Sequence, residues 1–341
     1  MEMTFKQALQ QLLDRKNFTH EEMLEIMRMM MSGELTAVQI ASLLMGLRMK
    51  GETVDEIAAA AQVMRELSTK VTITDTSHLI DTCGTGGDGI QTFNVSTVSA
   101  FVAAAAGAHV AKHGGRSVSS TCGSADVLEA LGVNVNQTPE QVAKCVDEIG
   151  IGFMFAPNHH SAMKHAAPVR RELGIRTLFN LLGPMTNPAG AKRQVMGVFH
   201  KDLTILLAQV LQRLGSEHVM VVHGADGMDE ISFTGDTYVA ELKDGKVTEY
   251  VLNPKQFGLP LYQHVSIRIE NAEQSKAMVL DVLNGKTGAA RDIVLLNAGA
   301  AIYVAGIAAS HEQGLALAAE AIDSGAAMKK LDQLKALSNS L

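Results

Sequence analysis

Tryptophan is absent from this 341-residue chain, and aromatic residues amount to only 4% of it. A sandwich of exposed sheets leans on such side chains, so their scarcity favours helices and buried parallel strands. Cysteine is scarcer still. Cys83, Cys122 and Cys145 are odd in number and lack metal-ligand spacing, so they read as free thiols in a reducing compartment. No run of Lys or Arg stands out and the net charge is −7, which leaves no basic stripe for nucleic acid. The opening "MEMTFKQALQQLLDR" has no basic segment leading into an apolar one, so no signal peptide is expected. The most apolar stretch, 293–310, nears membrane-spanning length, but two Gly, an Asn and many Ala mark it as a packed core helix. The expectation is a cytoplasmic protein with neither membrane nor nucleic-acid partner.

What is plentiful is apolar residues, 47% of the chain, with 18 Met among them. The first seventy residues read as helices alone. Thr19 with Glu22 and Thr53 with Glu56 are spaced as capping boxes, and Thr36 opens a third helix. The Met-rich face of these helices suits either packing within the domain or a dimer surface. From about residue 73 short apolar runs alternate with helical patterns: "HLIDTCG", "HVAKHG", "VNVN", "GFMFAP", "RQVMGVF" and "HVMVVHG" as strands, with "HHSAMKHAAPVRRELG" among the helices. Such alternation is the signature of a mostly parallel sheet covered on both faces. Asp244-Gly245 between two alternating runs indicates a β-hairpin, and two helical patterns close the chain. The expected fold is α/β: a small all-helical N-terminal domain, 1–72, and a large α/β domain, 73–341, with helices around 160–190 packing on the first.

"DTCGTGGDGIQTFNVSTVSA", residues 81–100, holds the letters of a dinucleotide loop, Gly84-x-Gly86-x-x-Gly89. Three features argue against that reading. Helix-forming sequence begins only near Ser96, several residues too late for the glycines to meet a helix N-terminus. The next strand ends in Lys112 and His113 rather than in an acid for a ribose. Asp88 among the glycines would repel a bare pyrophosphate. Four glycines do allow backbone N–H groups to crowd a phosphate, and Asp88 suits a ribose or a Mg2+-bound pyrophosphate. Asn94, Ser96 and Thr97 stand where a helix starts, as a second anion site or a metal contact for Ser96, or simply as a cap.

A second loop, 112–126, repeats the design with cations. Lys112 and Arg116 bring charge, Ser117, Ser119 and Ser120 hydroxyls, and a helix follows, so a terminal phosphate is the natural guest. Two such loops at neighbouring strand ends weigh far more than one. Downstream lie Arg170, Arg171 and Arg176, of which at least one is ordinary surface charge while another suits a carboxylate. Asp226, Asp229 and Glu230 follow a predicted strand, where acids suit Mg2+ or merely line a solvated turn.

The segments 81–97, 112–132, "FMFAPNHHSAMKHAAPVRRELGIRTLFNLLGPMTNPAG" (153–190) and "VVHGADGMDEIS" (221–232) resemble the anthranilate phosphoribosyltransferases, motif after motif, over essentially the whole chain. G-T-G-G-D alone is shared with the pyrimidine nucleoside phosphorylases; the Asp-Glu pair and Arg-Arg-Glu-Leu-Gly make the resemblance specific. It implies the nucleoside phosphorylase/phosphoribosyltransferase type of fold, a homodimer through the helical domain, and Mg2+-dependent transfer of phosphoribose from 5-phosphoribosyl 1-pyrophosphate to anthranilate, in tryptophan biosynthesis. By the same resemblance Gly84, Gly87, Asp88, Thr92, Asn94, Val95, Ser96 and Thr97 hold the sugar pyrophosphate. Lys112, His113, Gly114, Gly115, Arg116, Ser117, Val118, Ser119 and Ser120, with Ser124, hold the rest of the donor. Ser96, Asp229 and Glu230 bind magnesium, Arg170 and Gly84 contact anthranilate, and His113 with His159 and His160 lines its route. One departure stands out: the family's usual Asn contact to anthranilate falls at Gly115, whose backbone carbonyl is left to accept from the amine. His113 is the candidate if a general base is used. The rivals are a phosphorylase taking inorganic phosphate, and a nucleic-acid-binding protein on the same fold.

Overall fold

A computed structural model describes residues 3–117 and 121–341. Helices α1 (Phe5–Leu13), α2 (His20–Ser32), α3 (Ala37–Lys50) and α4 (Val54–Leu67) open the chain. Thr4, Thr19, Thr36 and Thr53 each cap the next helix, with Gln7, Glu22, Gln39 and Glu56 reaching back to close the box. Each box satisfies two otherwise orphaned donors, which fixes where the helix begins. Met23, Met27, Met30 and Met31 are buried inside this bundle, so the Met-rich face is core and not a dimer surface.

The strands follow: β1 (Leu79–Thr82), α5 (Val95–Ala105), β2 (His109–Gly114), α6 (Ser124–Ala130), α7 (Pro139–Ile149), β3 (Ile151–Phe155), α8 (Ala156–His159), α9 (Ala167–Leu173), α10 (Phe179–Leu182), β4 (Arg193–Gly197), α11 (Leu203–Arg213), β5 (His218–Gly224), β6 (Thr237–Lys243) and β7 (Lys246–Leu252). Their order in one seven-stranded sheet is β3-β2-β1-β4-β5-β6-β7. The first five are parallel; β6 and β7 add antiparallel as the hairpin expected at Asp244-Gly245, both at positive φ, 51° and 72°. Helices α12 (Ala272–Leu283), α13 (Ala289–Val304), α14 (His311–Asp323) and α15 (Ala326–Ser340) complete the chain, with the apolar stretch near 293 buried in α13.

One core lies under α5 and α12–α15. The other joins the N-terminal bundle to Val169, Phe179 and Leu182 of α9 and α10 and to Val219 and Val221 of β5. Three expectations need correction. "VNVN" is not a strand: Asn134 spends its backbone N–H on the Ser338 hydroxyl (3.1 Å) and its side chain on the Ser338 carbonyl (3.2 Å). The helix expected over 159–174 is broken, because His160 leaves helical geometry at φ −120° and Pro168 can only start a new helix. Four helices, not two, close the chain, since Gly288 (φ 128°) and Gly325 (φ 77°) turn it twice more.

Glu56 is fully buried and accepts from Phe18 N (2.8 Å), Thr53 N (2.8 Å) and Lys50 Nζ (2.9 Å). Glu56→Ala leaves Lys50, whose side chain is only 4% exposed, with the Asn17 amide (3.0 Å) and Gly51 O (2.7 Å) but without a countercharge. The substitution should cost about 3–5 kcal/mol in urea unfolding; a loss under about 1 kcal/mol would mean that water already screens this pair.

Candidate active site

The strand order reverses at β1, which sits between β2 and β4, and ligands of open α/β sheets bind at the carboxyl ends of strands at such a point. The glycine loop leaves β1 here. Thr85 N donates to Gly197 O at the end of β4 (2.8 Å). A Cβ on Gly84 would come within 3.0 Å of Gly197 O and 3.3 Å of the Asp229 carboxylate, and one on Gly197 would fall on the Asp229 carbonyl. Glycine is therefore required for the two loops to meet.

Asp229 and Glu230 stand in this crevice after β5. The Gly86 N–H faces the Asp229 carboxylate and the Ser96 N–H that of Glu230, each favouring the ionised form. Asp88 adds a third acid: its Oδ2 lies 3.5 Å from Asp229 N, while Oδ1 accepts from Ile90 N at 3.1 Å. Burial first, then repulsion from Asp88, pushes Asp229 up to about 7, and burial with repulsion from Asp229 holds Glu230 well above the usual range. Lys112 is the near countercharge, buried and held by Thr82 O and by Ser96 Oγ (3.2 Å). Three carboxylates thus stand near one ammonium, although among the described residues they are not drawn within 4.8 Å of one another as a ready set of ligands. A hard divalent cation, which takes oxygen ligands, is the group such a cluster suits.

Asp226 does not join them. Burial would raise its pKa, but bonds from Ser232 (2.5 Å), Thr234 (2.5 Å), His264 (2.7 Å) and Met228 N (3.0 Å) fill the carboxylate and keep it below the usual range. Sequence reasoning missed Asn297 of α13. It accepts from Ile231 N (2.9 Å) and donates to Ile231 O (3.0 Å), anchoring the acid pair from behind. No local motif marks it, since its partner lies 66 residues away.

The donor residues assigned by resemblance divide. Val95 and Thr97 are buried at 1% exposure and present no side chain to the crevice. Thr92 bridges to Arg268, and Asn94 donates to Cys122 O (3.1 Å). Arg116 is not poised for a phosphate: its guanidinium is paired with Glu129 (2.7 Å) and Asp126 (3.2 Å) of α6. Ser117 N and Gly123 N donate to Asp126 (3.0 and 2.8 Å), so the loop is wound on that carboxylate. Gly115 O already accepts from Ala125 N (3.1 Å) and Ser124 Oγ (3.4 Å), which removes the carbonyl expected to receive the amine. Gly114 approaches Ser124 so closely that a Cβ would collide with its hydroxyl. Val118, Ser119 and Ser120 lie outside the described residues.

His113 is buried, with Nδ1 3.1 Å from Gly183 O and Nε2 3.1 Å from His160 Nε2. Burial, then the neighbouring His160, pushes it down to about 3, and burial pushes His160 to about 4, so both rings are neutral. That makes His113 a poor general base. His159 turns to Thr69 O (3.0 Å). Arg170 is half-buried over the Phe179 ring (5.5 Å), and burial lowers its pKa with no carboxylate opposing. Arg176 stacks on Phe199 (4.1 Å) and donates to Gly87 O, while Arg171 is exposed. Asp81, Cys83 and His113 cluster within 4.8 Å, but burial raises the thiol to about 12, and the other two already hold protein partners.

A helical bundle ahead of a sheet with this order, and a glycine loop facing an acid pair, define a glycosyltransferase-type enzyme. Residues 6–68 match the helical bundle domain of the glycosyl transferase family and residues 76–328 its a/b domain. A Methylobacillus flagellatus protein named anthranilate phosphoribosyltransferase is 70% identical, covering 99% of each chain. The crystal structure of the Thermus thermophilus anthranilate phosphoribosyltransferase superposes with a TM-score of 0.92 at 43% identity, covering 97% of this chain and 99% of that one. The Saccharomyces cerevisiae enzyme in complex with PRPP and Mg gives 0.86 at 27%, covering 100% and 99%. The chain belongs to the anthranilate phosphoribosyltransferase family.

The raised Asp229 carries a sign for stability. The folded state holds a proton on this buried acid pair to higher pH than the unfolded state does, so rising pH above the ordinary carboxylate range destabilises the fold. The melting temperature of Asp229→Asn/Glu230→Gln should therefore climb relative to the parent from pH 5 to pH 8. Mg2+ should close the gap by stabilising the parent alone; a gap independent of pH would contradict the buried charge.

Proposed function

We propose that the crevice between β1, β4 and β5 binds 5-phosphoribosyl 1-pyrophosphate with Mg2+, and that anthranilate docks beside it from the side of α9. The reaction is transfer of the 5-phosphoribosyl group to anthranilate with release of pyrophosphate, a step of tryptophan biosynthesis. The observation that carries the site assignment is the uncompensated charge of Asp88, Asp229 and Glu230 beside the glycine loop. Ser96, Asp229 and Glu230 would hold Mg2+, which supplies charge neutralisation for the departing pyrophosphate. Lys112 and the N–H groups of the glycine loop would orient the donor phosphates. Arg170, desolvated and without a carboxylate partner, would take the anthranilate carboxylate.

The amine of anthranilate is weakly nucleophilic, because its lone pair is delocalised into the ring. Neutral, spent His113 cannot compensate by taking a proton near pH 7. Catalysis then lies in alignment of the two substrates and in stabilising leaving-group charge. We assign the chain to the cytoplasm; no described helix is long and apolar enough to cross a membrane. We further propose a homodimer through α1 and α3, where Leu13, Val38 and Met49 are 70%, 75% and 71% exposed.

The test follows anthranilate fluorescence in purified protein with donor and Mg2+, each omitted in turn. Signal loss that needs both supports the reading, whereas phosphate-dependent cleavage of thymidine or uridine would support a phosphorylase. Asp229→Asn/Glu230→Gln should cut turnover by at least about 100-fold with unchanged circular dichroism; near-normal turnover refutes the metal assignment.

A further inference from the structure

The segment His264–Ser275 joins two loops that grow from different strands. Its backbone pairs with the end of the glycine loop: Phe93 N donates to Ile267 O (3.1 Å), Ile269 N donates to Gln91 O (2.9 Å), and Thr92 and Arg268 form an antiparallel bridge. At one end His264 Nε2 reaches Asp226 Oδ2 (2.7 Å), the carboxylate on which the turn carrying Asp229 and Glu230 is wound. At the other end Ser275, in the first turn of α12, makes a two-way contact with Asn94. Its hydroxyl donates to Asn94 Oδ1 (2.6 Å) and accepts from Asn94 N (3.2 Å).

Ser275 is fully buried, so it meets no ligand itself. Asn94 is the N-cap residue of α5, yet its side chain caps nothing; the amide runs instead between Ser275 and Cys122 O. A hydroxyl that both donates to and accepts from one residue fixes that residue's rotamer and its backbone together. Through Cys122 the same amide holds the far end of the second loop, just ahead of α6. Glycine-rich loops are costly to order on binding, and ordering them at folding removes that cost from the binding step.

We propose that His264–Ser275 is a positioning strap for the donor site, with Ser275 setting Asn94 and His264 setting the acid-bearing turn. This rests on the donor site proposed above. The glycine loop and the acid pair are then held in register by a segment that contributes no atom to the ligand.

The experiment measures binding of 5-phosphoribosyl 1-pyrophosphate by calorimetry with Mg2+ and without anthranilate, so that nothing turns over. Absence of binding by the unaltered protein would refute the donor site and not the strap. Given binding, Ser275→Ala should weaken it about five- to tenfold, the loss expected for one buried hydrogen bond, while kcat at saturating donor falls less. In an Asn94→Ala background only the bond from the residue 94 N–H to Ser275 Oγ remains, so the same substitution should cost clearly less than in the parent, about half the loss or under. Unchanged affinity of Ser275→Ala, or an equal loss in both backgrounds, overturns the proposal. Should Ser275→Ala not fold, His264→Gln serves, its side chain being 32% exposed. It should raise the Mg2+ needed for half-maximal donor binding about threefold, roughly one hydrogen bond; an unchanged requirement is equally fatal.

Discussion

The carbonyl of Asp229 rests where a Cβ of residue 197 would be, and the rest of the site depends on that contact. It lets the acid-bearing turn close down on the end of β4, and Gly84 lets the first loop close down on both. Two glycines without positive φ, needed for space alone, thus bring carboxylates from β5 within reach of the N–H groups that follow β1. Removing those carboxylates from water raises their pKa values, and the Gly86 and Ser96 N–H groups offset only part of the cost. The fold thus buries two acids at a strand end that ionise only at a cost, which a divalent cation would relieve.

Several of the groups that would meet phosphate are occupied by the protein itself. Arg116 faces Glu129 and Asp126, Ser117 N and Gly123 N face Asp126, and Arg176 holds Gly87 O. A phosphate entering the second loop would exchange one charge-assisted set of bonds for another, so the net gain per contact is small. Lys112 differs, since it is already buried at the floor beside Ser96 and Glu230 and needs no such exchange. The groups beside the first loop thus stand open, whereas the described cations and N–H groups of the second loop already hold protein partners.

Local chemistry was legible in the sequence wherever it was governed by local rules. The threonine caps and the Asp244-Gly245 hairpin came from patterns spanning fewer than thirty residues, and the parallel sheet from the repeated strand–helix alternation along the chain. The resemblance then placed the chain in its family. Illegible were contacts between distant segments: Asn297 behind the acid pair, Ser275 against Asn94, and His264 on Asp226, which separates that acid from Asp229 and Glu230. The broken helix at 159–174 was missed for a different reason. Its apolar spacing is helical, but His160 abandons the helix to reach His113, and a tertiary contact outweighs a local preference.

Gly115 shows why spacing and chemistry must be separated. Among the described residues no atom lies within 4 Å of the Cβ it lacks, and its φ is not left-handed. Neither packing nor turn geometry demands glycine here, unlike at Gly84, Gly114 or Gly197. Its carbonyl is committed to the start of α6. Two of that carbonyl's bonds are thus taken up within the protein, and Gly115 has no side-chain group to offer in their place. Arg170, by contrast, is half-buried over the Phe179 ring and forms no ion pair among the described residues, which is why the proposed carboxylate contact rests on it.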